Sequence, residues 1–262
     1  MSILDHIAEL RDRLIKCCVA LTVTTLVAAF VLYDRTFSYI TRSYCEIDPQ
    51  YRIATAAGRG CGLLAQSPLE GIGIRIRLSL LLGLVMALPV IAFQLWRFIT
   101  PGLKPNEKRF AIPFSLATTL LFASGVEVAF YTMPKAIGWL AAAGGPSLIQ
   151  FYAADRYLRF VLFMGLAFGL TFEFPLVLVF LSLVGALSSR AMLRAWRPAI
   201  AIIIVVAAVV TPSQDPISLF AMAIPMWVFY FAAAAGAKFV IEPARQRRRA
   251  ALLLNGSRPP ER

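Results

Sequence analysis

Apolar residues in this chain fall into long runs separated by short polar stretches. Six runs stand out, at residues 15–33, 72–93, 110–131, 158–187, 198–210 and 217–240. Runs of this length with few charges read as membrane-crossing segments. In lipid the backbone has no water to bond, so each segment has to be a helix. The pattern predicts an all-α polytopic membrane protein of six transmembrane helices. One domain covers 1–240, and 241–262 is a basic cytoplasmic tail expected to be disordered. The fifth run is short. Residues 198–210 cover about 20 Å at 1.5 Å per residue, against a hydrocarbon core of about 30 Å. The turn Thr211-Pro212-Ser213-Gln214-Asp215-Pro216 follows at once. This hairpin is expected either to be buried in protein or to thin the bilayer locally. A start nearer Leu193 is the alternative, but Arg194, Trp196 and Arg197 suit an interface better than a bilayer core.

Composition agrees with the pattern. Of 262 residues, 59% are hydrophobic and 15% are charged, with a mean hydropathy of +0.73. A soluble domain carries about a quarter charged residues. The net charge of +12 does not point to nucleic acid, because the basic residues sit between apolar runs and in the tail. Their spacing sets an orientation. Arg11, Arg13 and Lys16 precede the first run. Arg97, Lys104, Lys108 and Arg109 follow the second, and Arg190, Arg194 and Arg197 follow the fourth. On the other side, 211–216 has no Lys or Arg, and the loop after the third run has only Lys135 and Arg156. Arg35, Arg42, Arg52 and Arg59 of the first outer loop are accompanied by Asp34, Glu46, Asp48 and Glu70. Both termini are therefore expected in the cytoplasm. The N-terminal apolar run lacks a small-x-small cleavage site and reads as a retained first span.

Several chemistries have no residues to carry them. The single histidine is His6, and the four cysteines form no CxxC, so neither a metal nor a cofactor is expected. No GxxxxGK[ST] or HExxH occurs, and no histidine lies within a span, so an enzyme is not expected.

The carboxylates are more informative. Glu9 and Glu107 stand beside an otherwise basic surface, one in the N-terminal box His6–Leu14 and one in the loop after the second run. Each has a structural explanation: an ion pair with Arg13 at i+4 for Glu9, and a helix start for Glu107. Together they suit a bidentate guanidinium ligand. Glu173 lies in the middle of the fourth run, where an unpaired charge costs several kcal/mol. Pro175 beside it invites a kink. Asp215 sits at the tip of the short hairpin, as a turn acceptor or a functional acid. Glu127 reads as interfacial. Cys45 and Cys61 share the long outer loop, where oxidising conditions permit a disulfide.

Six motifs stand in order along the chain. They are His6-x-x-Glu9-Leu10-Arg11-x-Arg13-Leu14, Ser67-Pro68-Leu69-Glu70, and Ala87-Leu88-Pro89-Val90 with Gln94-Leu95-Trp96-Arg97-Phe98. Then come Pro101-Gly102-Leu103…Glu107-Lys108-Arg109, Phe168-Gly169…Phe172-Glu173-Phe174-Pro175, and Thr211-Pro212…Asp215-Pro216…Ala223-Ile224-Pro225. In this order they resemble the TatC family. The resemblance implies a glove-like six-helix fold with a concave face and two short last spans. It implies the core of a twin-arginine translocase, moving folded proteins with the proton-motive force. Glu9, Arg11, Phe98 and Glu107 fall on its signal-peptide site. Glu173 and Asp215 fall where TatA- and TatB-type single-span partners dock, which makes the chain part of a hetero-oligomer. Leu219 stands where the family often has glutamine, and no proline stands near Ser43. Two rivals remain at this point: a proton-coupled small-solute transporter using Glu173, and a scaffold without ligand. The transporter predicts an inverted second half, which the sequence lacks.

Overall fold

In the computed structural model the described residues are 3–45, 63, 65–99, 111–145, 153–213, 215–241 and 243, and every element among them is helical. Helix α1 (Ile3–Val27) passes through a π-helical turn (Ala28–Leu32) into α2 (Tyr33–Cys45). Then come α3 (Glu70–Ile99), α4 (Ala111–Ala143), α5 (Ala154–Thr171) and α6 (Phe174–Val184). The short α7 (Ser189–Arg194) leads to α8 (Trp196–Val210), α9 (Pro216–Gly236) and a last π-helical turn (Ala237–Ile241).

Among the described residues, five helical stretches are long and apolar enough to cross a membrane: Ile7–Arg42, Glu70–Phe98, Ile112–Ala143, Ala154–Val184 and Pro216–Phe239. The sixth, Trp196–Val210, has 15 residues and spans about 22 Å. The short fifth span is therefore present, with its start at Trp196 rather than near Leu193. Only one of the two last spans is short, because the final helix runs for 24 residues.

Two helices outrun their apolar segments. The first was expected to stop near residue 33, but α2 continues to Cys45. Tyr33, Phe37, Ile40 and Tyr44 recur at i, i+4, i+7 and i+11, giving one apolar face that packs inward. Ile40 is fully buried, and the Tyr157 hydroxyl donates to its carbonyl at 3.1 Å. Helix α4 has 33 residues, about 50 Å, and so extends about 20 Å past the hydrocarbon. The fourth span is interrupted at Phe172–Glu173, between α5 and α6. Pro175 occupies the first turn of α6, where its missing N–H is harmless. The expected irregularity is thus a break with a new helix start. Gly185 then ends α6 in the left-handed region, at φ 87°.

Successive spans run antiparallel, as their contacts show. On α1 and α3, Arg13 meets Gln94, Thr24 meets Gly83, and Ala29 of the π turn meets Arg75. On α3 and α4, the Ser115 hydroxyl donates to the Pro89 carbonyl at 2.7 Å. Buried side chains form two clusters. The first lies toward the end of the bundle away from Glu9, where α2, α3, α4 and α5 bring together Ile40, Leu78, Met133 and Leu158. The second joins α4 through α9, with Phe168, Met192, Ile203 and Met226 at its centre.

Glycines set the closest approaches. A Cβ on Gly83 would lie 2.6 Å from the Thr25 Cα, and one on Gly169 would lie 2.7 Å from the Phe122 ring. Membrane helices gain little from hydrophobicity against one another, so such contacts carry their association. Gly83→Ala is expected to push α1 off α3 and to destabilise the protein by about 1–3 kcal/mol, read as a lowered thermal midpoint in detergent.

Candidate functional site

Glu9 lies on the first turns of α1 with its side chain 24% exposed. Four residues on, Arg13 turns back and pairs with the Glu9 Oε1 through its Nη2, while its Nε donates to the same oxygen at 3.2 Å. The Arg13 Nη1 donates to the Gln94 carbonyl of α3 at 3.2 Å. A carboxylate and a backbone carbonyl therefore hold one guanidinium at this end of the bundle. Arg11, two positions on, points to another side of the helix. It is exposed and sits 3.5 Å from Asp12. Phe98 was expected in the loop, but it lies in the last turn of α3, half-buried. The Arg13–Gln94 contact puts Glu9 and Phe98 at the same end. Glu107 lies outside the described residues.

Glu173 occupies the break in the fourth span and caps α6 through its backbone, whose carbonyl accepts from Leu176 and Val177 at 3.0 and 3.2 Å. Its side chain is partly buried, and Oε1 has no hydrogen-bond partner among the described residues. The Thr118 hydroxyl of α4 faces the carboxyl. That hydroxyl also accepts from the Trp96 Nε1 of α3 at 3.3 Å. The Trp96 ring packs on Phe114 and Phe180, with centroids 4.6 and 5.1 Å away. Two residues past Glu173, an open apolar groove of about 400 Å³ begins, lined by Leu121, Pro175, Leu176, Val179, Phe229 and Gly236.

With this geometry in place, the wider likeness is decisive. Residues 5–225 match the family model of the Sec-independent protein translocase protein (TatC). The chain belongs to the TatC family. It is 37% identical over 233 residues to the TatC protein of Frankia casuarinae, covering 88% of this chain and 64% of that one. It is 34% identical to the TatC protein of Corynebacterium kroppenstedtii, covering 87% of this chain and 59% of the relative. The chain thus spans less than two thirds of these two relatives. A crystal structure of the twin-arginine translocase receptor TatC in DDM superposes with a TM-score of 0.69 at 31% identity. That match covers 87% of this chain and 97% of the other.

Within this TatC-family fold, Asp215 acts as a helix cap. It is fully buried, accepts from the Ser218 amide at 2.8 Å, and takes the Ser213 hydroxyl on its other oxygen. Leu219 stands in the next turn, partly buried against the larger cluster. Glu127 is exposed on α4. Cys45 closes α2 and is bonded in a disulfide; Cys61, its expected partner, lies outside the described residues. Cys17 and Cys18 are free.

Three features escaped sequence reasoning. The Gln94 carbonyl is a backbone group, invisible to residue type. The Trp96–Thr118–Glu173 chain joins three helices, although the neighbouring Thr118 and Thr119 inside an apolar run were a usable signal. The third is a network at the end of the bundle opposite Glu9. Arg77 and Arg159 both pair with Asp155, the latter at 2.5 Å, and Glu70 accepts from the Asp155 amide at 2.6 Å.

Removal of the cap distinguishes folding from docking at Asp215. Asp215→Ala should cost about 0.5–2 kcal/mol, while Asp215→Asn should lose only a few tenths because asparagine also caps. Thermal unfolding of both variants checks the order.

Proposed function

We propose that this chain is the signal-receiving core of a twin-arginine translocase in a bacterial inner membrane, with both termini in the cytoplasm. Its part is transport of folded proteins, driven by the proton-motive force, with TatA- and TatB-type single-span helices as partners. Glu9, Arg11, Phe98 and Glu107 would receive the signal peptide.

One observation carries this reading. Glu9 already holds a guanidinium, with the Gln94 carbonyl as second acceptor. An incoming arginine needs the same acceptors. Arginine suits them better than lysine, because its planar fork gives parallel bonds from fixed positions. Arg13 would then give way to, or share its acceptors with, the ligand. The apolar part of the signal would lie along the helices below.

Glu173 is read as a docking point for a partner helix. A carboxyl at bilayer depth costs about 3 kcal/mol if charged. A polar side chain from a neighbouring helix would relieve that cost, and the adjacent groove offers apolar contact. Asp215 would act through the hairpin that it caps.

A twin-arginine signal peptide should bind the purified chain, and twin-lysine substitution should weaken it. Glu9→Ala and Glu107→Ala should each cost about tenfold in affinity, the scale of one charge-assisted hydrogen bond. Equal affinity in all four measurements would reject the receptor role. Glu173→Ala should leave peptide affinity intact and weaken partner co-purification by about threefold to thirtyfold, the range of polar contacts between membrane helices. Unchanged co-purification and transport would remove Glu173 from that role.

A further inference from the structure

The elbow between α6 and α8 carries charge that neither the signal site nor the docking face uses. Arg190, Arg194 and Arg197 are all exposed, and none forms an ion pair with a described carboxylate. The chain has no Asp or Glu between Glu173 and Asp215. The π turn Ala237–Ile241, which adds Lys238, packs against α7. Four cations thus share one end of the bundle, the end that also holds Glu9.

Their placement relative to the apolar surface narrows the partner. Met192 is buried and its carbonyl accepts from the Tyr230 hydroxyl at 2.7 Å, which pins the elbow to α9. Leu193 and Trp196 are exposed beside the arginines, and the Arg197 guanidinium lies 5.3 Å from the Trp196 ring. Below them, the outer face of α8 shows Ile202, Val205 and Val209, 61%, 61% and 80% exposed. Arg197 sits two turns above Val205 on this helix. Cations, a tryptophan and then an apolar stripe match a phospholipid from headgroup to acyl chain. A soluble acidic protein would match the charges but not the stripe.

The short span gives the site a task. Helix α8 falls about 8 Å short of a bilayer core. Its ends stay in register with both surfaces only if the bilayer thins or the elbow is drawn into the interface. We propose that the elbow binds the headgroup of an anionic phospholipid through Arg190, Arg194 and Arg197, and that this holds the short hairpin at its depth.

Each arginine near an anionic surface is worth about a factor of five in affinity. The test titrates the full chain in detergent with phosphatidylglycerol and with phosphatidylcholine, and counts retained lipid by intact-protein mass spectrometry. Wild type should prefer phosphatidylglycerol. The R190Q/R194Q/R197Q variant should lose about a hundredfold, and R190K/R194K/R197K, which keeps the charge, should retain most of it. R35Q/R42Q, on the opposite side, should behave as wild type. Unchanged retention in the glutamine variant overturns the proposal, as does an equal loss in R35Q/R42Q. Inorganic phosphate displacing the lipid at equal concentration would make this a free-anion site and overturn it as well. Peptide affinity of the same variants separates this outcome from failure of the receptor reading.

Discussion

The contact between α1 and α3 is the constraint on which the candidate site depends. Lipid tails are as apolar as the helix surfaces, so no hydrophobic gain holds one span against another. Only 6% of the most apolar window in the first span is buried. Its position rests on three polar contacts: Arg13 with Gln94, Thr24 with Gly83, and Arg75 with Ala29. The middle one is possible because Gly83 has no side chain. Registration of these contacts fixes how far Glu9 stands from Phe98, and so whether two separate helix ends make one surface.

A second set of polar groups works at depth. Glu173, Thr118 and Trp96 come from the break in the fourth span, from α4 and from α3. Each would be costly alone in hydrocarbon. Brought together, they join the end of α3 that carries Phe98 to the apolar groove beyond Pro175. Some hydroxyls in the spans are satisfied inside their own helix: Thr132 and Thr171 both bond the carbonyl four residues back, at 2.7 Å. Thr118 is different in facing two neighbouring helices.

Hydropathy alone exposed the helical class and the short α8, because lipid allows few alternatives for an apolar run, and Pro175 marked the irregularity beside it. It failed at the ends of helices. The extension of α2 depends on four aromatic and aliphatic residues in a stretch whose overall composition is polar, and it is visible only by reading their 3.6-residue period. Of the candidate site, the residue types were legible and the geometry was not. Glu9 was expected with Arg13, and that pair exists, but its use of a backbone carbonyl had no sequence trace. Asp215 was balanced between turn acceptor and functional acid; the structure shows its two acceptor contacts. Phe98 moved from loop to helix, since α3 continues to Ile99.

Helix α4 deserves a mechanical reading. It packs against α2, α3, α5, α6 and α9, and it is the longest uninterrupted α-helix among the described residues. A strut gripped on so many sides cannot tilt without disturbing both apolar clusters. By contrast, α1 leans chiefly on α3, and α8 chiefly on α9. Stiffness is thus concentrated along the centre line, and compliance is left to the two flanks. Any change of shape in this molecule has to begin at its edges, where α1 brings Glu9 and α8 brings the basic elbow.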